Sequence, residues 1–124
     1  MESNDKRTFR QVILGDIPSK SNGYKIVTLC GHGSLAKSAT LKEYEKYFYL
    51  QCSMRNANID KFFSIDLDAY FSSNRKDLDG CFKILLDCLQ KCKAIKNERL
   101  CVEIHARKLV DKEKPRVEFT ITEI

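Results

Sequence analysis

Asp77 and Asp79 lie two residues apart, and Lys83 follows four residues later, in the run Arg75-Lys-Asp-Leu-Asp-Gly-Cys-Phe-Lys83. These residue types suit phosphate-ester chemistry, since paired carboxylates hold a divalent cation through oxygen while Arg and Lys attract an anionic backbone. Geometry sets a condition on this. Within a regular helix a spacing of two turns side chains about 200° apart, so the aspartates converge only if Asp77 is the N-cap or lies outside the helix. Lys83 shares a face with Asp79, one turn on. The same residues also have a purely structural explanation: Asp at a helix start complements the helix dipole, and Asp79 with Lys83 forms a surface ion pair.

Phosphodiester cleavage at a divalent cation gains from a third acid, and Lys96-Asn-Glu-Arg99 offers Glu98. A helix of roughly 17 residues starting at Asp77 carries the chain ~25 Å from its own N-terminus. Glu98 therefore returns to Asp79 only if the fold brings it back or the helix is shorter. Asp66 and Asp68, on one face of a preceding strand, form a rival acidic pair or a solvated face.

Periodicity and punctuation indicate the elements that must position these side chains. Residues 8–14 carry Phe9, Val12, Ile13 and Leu14 and predict a strand ended by Gly15-Asp16 and Pro18. A polar loop over 18–25 leads to a second strand over 26–30, after which Gly31-His-Gly33 breaks the chain. Leu41, Tyr44, Tyr47, Phe48 and Met54 predict an amphipathic helix over 38–56. Alternation over 61–71 predicts a half-buried strand. Leu78, Cys81, Phe82, Leu85, Leu89 and Cys92 predict a helix over 77–93, weakened at Gly80. Strands over 100–107 and 116–122 are expected to form a C-terminal hairpin. The order β-β-α-β-α-β-β implies an α+β domain over 8–124, behind a flexible stretch at 1–7.

The chain has 124 residues, and 22 basic against 17 acidic groups give a net charge of +5, spread over both halves. That is one domain with a modest preference for polyanions, and its ordinary apolar content excludes disorder and collagen. No run approaches the ~18 apolar residues of a membrane span and the first residues lack a signal peptide, so a cytoplasmic protein without a membrane partner is expected. The six cysteines (Cys30, Cys52, Cys81, Cys88, Cys92 and Cys101) contain no C-x-x-C, and Cys30 with His32 has no second pair at finger-like spacing. Cys81, Cys88 and Cys92 fall on an apolar helix face, where reduced cysteine acts as a small hydrophobe, consistent with a reducing compartment.

Lys76-Asp-Leu-Asp-Gly-Cys-Phe-Lys83 resembles the Arg-Asp-Leu-Asp-Asn-x-x-Lys segment of the RusA-type Holliday junction resolvases, the crossover junction endodeoxyribonucleases. Ile95-Lys-Asn-Glu-Arg99 resembles that family's Asp-Asp segment before a strand. Pro18-Ser-Lys-Ser-Asn-Gly-Tyr24 resembles its N-terminal Pro-Ser-x-Asn loop, and Arg116-Val-Glu-Phe-Thr-Ile-Thr-Glu123 its closing strand. The resemblance implies a RusA-like α+β domain with a mixed β-sheet packed with two main helices. It further implies a homodimeric, Mg²⁺-dependent endonuclease, with Mn²⁺ as a substitute, that hydrolyses four-way junction DNA in recombination and repair. Asp77, Asp79 and Glu98 take the family's metal-holding catalytic positions, and Lys83 that of the assisting lysine. Arg75, Lys76 and the loop residues Lys20, Asn22, Tyr24 and Lys25 are expected to contact the DNA backbone, contacts that position rather than read bases. For the loop residues a plain turn role stands beside this. Gly80 replaces the family's Asn, Asn97 replaces an acid, and Glu98 is one methylene longer than Asp. These departures keep open a catalytically weakened DNA-junction or protein-binding module that retains the fold.

Overall fold

The computed structural model describes residues 6–18, 24–29 and 32–124, with the backbone alone considered over 24–29 and 32–36. The elements are β1 (Thr8–Leu14), β2 (Tyr24–Leu29), β3 (His32–Lys37), α1 (Ala39–Gln51), β4 (Phe63–Phe71), α2 (Leu78–Lys91), a 3₁₀ turn (Glu98–Leu100), β5 (Cys101–Val110) and β6 (Arg116–Glu123). The architecture is α+β, a mixed four-stranded sheet with two helices, together with a separate two-stranded ribbon.

The four strands lie in the order β1-β6-β4-β5, so β5 and β6 do not form the expected hairpin. β4 inserts between them, antiparallel to β6 and parallel to β5. The alternation of β4 explains why: Phe63, Ile65, Leu67, Ala69 and Phe71 are all buried, and such a strand is best placed in the interior of the sheet. A parallel partner needs a crossover connection, which α2 provides. Of the expected break at Gly31-His-Gly33, Gly31 lies outside the described residues, while His32 and Gly33 begin β3, which pairs back onto β2 with Leu29 opposite His32. His-Gly-Ser-Leu-Ala-Lys has little alternation to mark it as a strand from sequence.

Both helices are shorter than their periodicity predicts. α1 starts where Ser38 Oγ accepts the Leu41 N–H and ends at Gln51 rather than residue 56. Beyond it Gln11 of β1 takes the Ser53 N–H, and Asn56 and Asn58 adopt positive φ, although Met54 remains buried at helical spacing. α2 ends before Lys93, whose φ of 60° is incompatible with continuing a right-handed helix.

One face of the sheet and both helices share a single apolar cluster. Ile13, Ile65, Leu67, Val117, Phe119 and Ile121 from the sheet meet Leu41 and Phe48 of α1 and Cys81, Leu85 and Leu89 of α2. The Phe48 and Phe119 rings stack with centroids 6.3 Å apart. The opposite face is polar and cross-linked by ion pairs, Arg107 to Asp68 and Arg10 and Arg116 to Glu118. At the closed end of β1, Gly15 holds φ at +120°, a conformation that favours glycine, and its N–H reaches Pro115 O. Arg7, within the stretch expected to be flexible, is held by buried Glu123 through its backbone N–H and its guanidinium.

Candidate active site

The turn from β4 into α2 is fixed from below by a residue that sequence spacing did not single out. Asp16 accepts the Ser72 N–H and Oγ–H through its two carboxylate oxygens, and Lys76 Nζ lies 2.7 Å from Oδ2 and 3.0 Å from Ile17 O. Burial pushes the Asp16 carboxyl up, but the hydrogen bonds from Lys76 and Ser72 outweigh it and hold the group below its ordinary range. Lys76 is thus largely covered and engaged with the fold, while Arg75 beside it is exposed. No short-range pattern announces Asp16, because its partners are 56 and 60 residues away.

Asp77 is the N-cap of α2, in extended conformation and without a side-chain capping hydrogen bond. That meets the condition under which Asp77 and Asp79 need not diverge. Asp79 sits exposed in the first turn, its Oδ1 2.8 Å from the Gly80 N. One turn on, Lys83 Nζ lies 2.8 and 2.9 Å from the two oxygens of Glu98 and 3.6 Å from Asp87 Oδ1. The Glu98 carboxylate, aided by Asp87, raises the Lys83 ammonium above its ordinary value.

This contact brings Glu98 back to Lys83, one turn beyond Asp79, although among the described residues no contact joins Glu98 to the two aspartates. After α2 the left-handed Lys93 reverses the chain, the Ala94 and Ile95 N–H groups return to Leu89 O, and Lys96 N–H pairs with Ile59 O. Glu98 therefore comes back alongside Lys83 rather than staying at the far end. Gln90, also missed from sequence, anchors the 3₁₀ turn by accepting the Glu98 N–H at 2.9 Å. Asn97 caps that turn, its Oδ1 accepting from the Arg99 backbone N–H and Nε–H.

Other expected residues stand apart. Lys20 and Asn22 lie outside the described residues, and Tyr24 and Lys25 begin β2 rather than ending a loop. Asp66 and Asp68 line a shallow cavity of about 370 Å³ on the polar sheet face with Arg10, His105, Arg107 and Glu118. There the Arg107 hydrogen bonds hold the Asp68 carboxyl low. Cys81, Cys88 and Cys92 are buried free thiols, as the apolar stripe predicts, and desolvation pushes Cys81 up to about 12. Among the described residues no three of His, Cys, Asp and Glu gather as a metal-holding group. The oxygen donors of Asp77 and Asp79 suit a hard cation such as Mg²⁺, whereas Glu98 is spent on Lys83 in this conformation.

A comparison with protein families decides what this arrangement belongs to. The family model described as Endodeoxyribonuclease RusA matches residues 31–122. The chain belongs to the RusA endodeoxyribonuclease family. The matched span of this RusA-family chain contains Asp77, Asp79, Lys83 and Glu98 and excludes the 18–24 loop. No curated protein sequence matches it. No helix among the described residues is long and apolar enough to cross a membrane.

Proposed function

We propose that this RusA-family protein is an Mg²⁺-dependent, structure-specific endodeoxyribonuclease that resolves four-way DNA junctions in recombination and repair. The observation that carries the reading is the Lys83–Glu98 contact, which brings Glu98 to the helix whose N-cap is Asp77 and whose first turn holds Asp79. Asp77, Asp79 and Glu98 would hold the metal, with Mn²⁺ as a substitute. When bound, Mg²⁺ would lower the pKa of a water and stabilise charge on the departing oxygen. Lys83 is a mobile point charge on a half-exposed stem, suited to exchanging Glu98 for a phosphate oxygen. The Asp16–Lys76–Ser72 knot holds the turn that presents Asp77. Arg75, Lys20, Asn22 and the start of β2 at Tyr24 and Lys25 would supply backbone contacts. Symmetric cleavage needs two sites on opposite strands, hence a two-fold homodimer.

A second reading, a junction binder that does not cut, is favoured by one observation: Glu98 is ion-paired and no three-acid group is assembled among the described residues. An assay on a synthetic four-way junction with Mg²⁺ separates the two. Paired nicking by the wild type that Asp77→Asn abolishes, with binding retained, supports the nuclease. Binding without scission in Mg²⁺ or Mn²⁺ supports the second reading, and cleavage by Asp77→Asn at the wild-type rate refutes the assigned role.

A further inference from the structure

Two sulfur atoms that play no part in the proposed chemistry meet in the core. Cys52 ends α1 and Cys92 ends α2, and their Sγ atoms lie 4.0 Å apart at 0% and 3% exposure. Among the described residues no other pair of cysteines comes into hydrogen-bond contact. The backbone that follows each cysteine enforces this proximity. Asn56 N–H donates to Cys92 O, Asn58 N–H to Lys93 O and Ile59 N–H to Ala94 O, so the two segments run side by side. Asn56, Asn58 and Lys93 hold φ of 63°, 48° and 60°, a left-handed conformation that Asn adopts more readily than most residues and Lys seldom does. The sulfurs are therefore brought together by a specific path of both chains rather than by loose packing.

We propose that Cys52 and Cys92 are a disulfide-forming pair, closed by hydrogen peroxide into a crosslink between the ends of the two helices. The Cys92 thiolate attacks one peroxide oxygen, the O–O bond breaks, and the departing hydroxide takes a proton to leave as water. Cys92 is then a sulfenic acid. The Cys52 sulfur attacks the Cys92 sulfur, the S–O bond breaks, and a second water leaves with the Cys52 proton. Two thiols lose two electrons in all and one peroxide gains them. The same two steps with Cys52 attacking the peroxide first give the same crosslink. From 4.0 Å the sulfurs close by about 2 Å to reach bonding distance. The crosslink would pin the start of the segment that carries Asn97 and Glu98 to the end of α1.

The test treats the full chain with hydrogen peroxide, alkylates it in denaturant and maps its peptides without reductant. The expected result is a Cys52–Cys92 linked peptide, lighter by two hydrogen atoms and released by dithiothreitol, with a melting temperature higher by roughly 10 °C. Cys52→Ser should abolish the crosslink and leave Cys92 as a sulfenic acid that dimedone captures. If Cys52→Ser does not fold, the wild-type peptide map decides alone. Recovery of both Cys52 and Cys92 as alkylated thiols, from protein in which half-buried Cys101 has been oxidised, would overturn the proposal, as would a crosslink between other cysteines.

Discussion

Asp16→Asn tests whether one carboxylate holds the turn into α2. The change keeps the size of the side chain and removes its charge, leaving Lys76 Nζ with Ile17 O alone and facing an amide in place of a carboxylate. A hydrogen bond to a charged group contributes about 1.5–3 kcal/mol, and the lower end applies here because the Asp16 and Lys76 side chains are 30% and 16% exposed. A loss of about 1.5 kcal/mol at pH 7 follows, which for a chain of this size lowers the melting temperature by roughly 5–6 °C. The pH dependence has a definite sign. The folded-state carboxyl is held below its unfolded value, so its contribution is complete above the unfolded pKa, near 4, and is lost as pH falls through the folded value. Urea unfolding of both proteins at pH 7 and near pH 3 should show a difference in midpoint that narrows at the lower pH, with equal slopes. An equal difference at both pH values, or none at pH 7, would refute the reasoning.

Two further changes probe the core and the acid-bearing turn. Phe119→Ala opens a cavity where Phe48 stacks, and should cost about 3–5 kcal/mol in urea unfolding. Gln90→Ala frees the Glu98 N–H, and under the proposed mechanism should slow junction cleavage about tenfold while leaving junction affinity unchanged. Single-turnover cleavage and a binding titration in Ca²⁺ distinguish that result from loss of DNA contact.

Much of the site's frame could be read directly from residue patterns. The stripe from Leu78 to Leu89 identifies α2, and the alternation from Phe63 to Phe71 identifies β4, because burial on one face imposes a period on the residues themselves. The Ser-Ser-Asn-Arg-Lys run before Asp77 permits the N-cap position that the fold gives it. The return of Glu98 was not legible, since it depends on Lys93 adopting a left-handed conformation that no glycine or asparagine advertises. Met54 misled for the opposite reason: it is buried at helical spacing but belongs to the chain after the helix. The C-terminal strands read as a hairpin because adjacency in sequence favours pairing, and the preference of apolar β4 for the space between them is a property of the whole sheet. Asp16 and Gln90 act through contacts that leave no local signature.

The sheet order also bears on how the molecule comes into being. β1 lies opposite β6, with Thr8 facing Thr122, and β4 needs the same last strand on one side. During synthesis the two helices can form from local contacts, but the first strand must wait for nearly the whole chain before it finds a partner, and such long-range closure is slow. Until then the edges of β1 and β4 are open to any strand that passes. Loss of the eight residues of β6 would therefore leave β1 without its partner in the sheet and open one edge of β4, which keeps β5 on the other. A nascent chain of this kind completes its sheet in one late step, when β6 joins β1 to the β4–β5 pair.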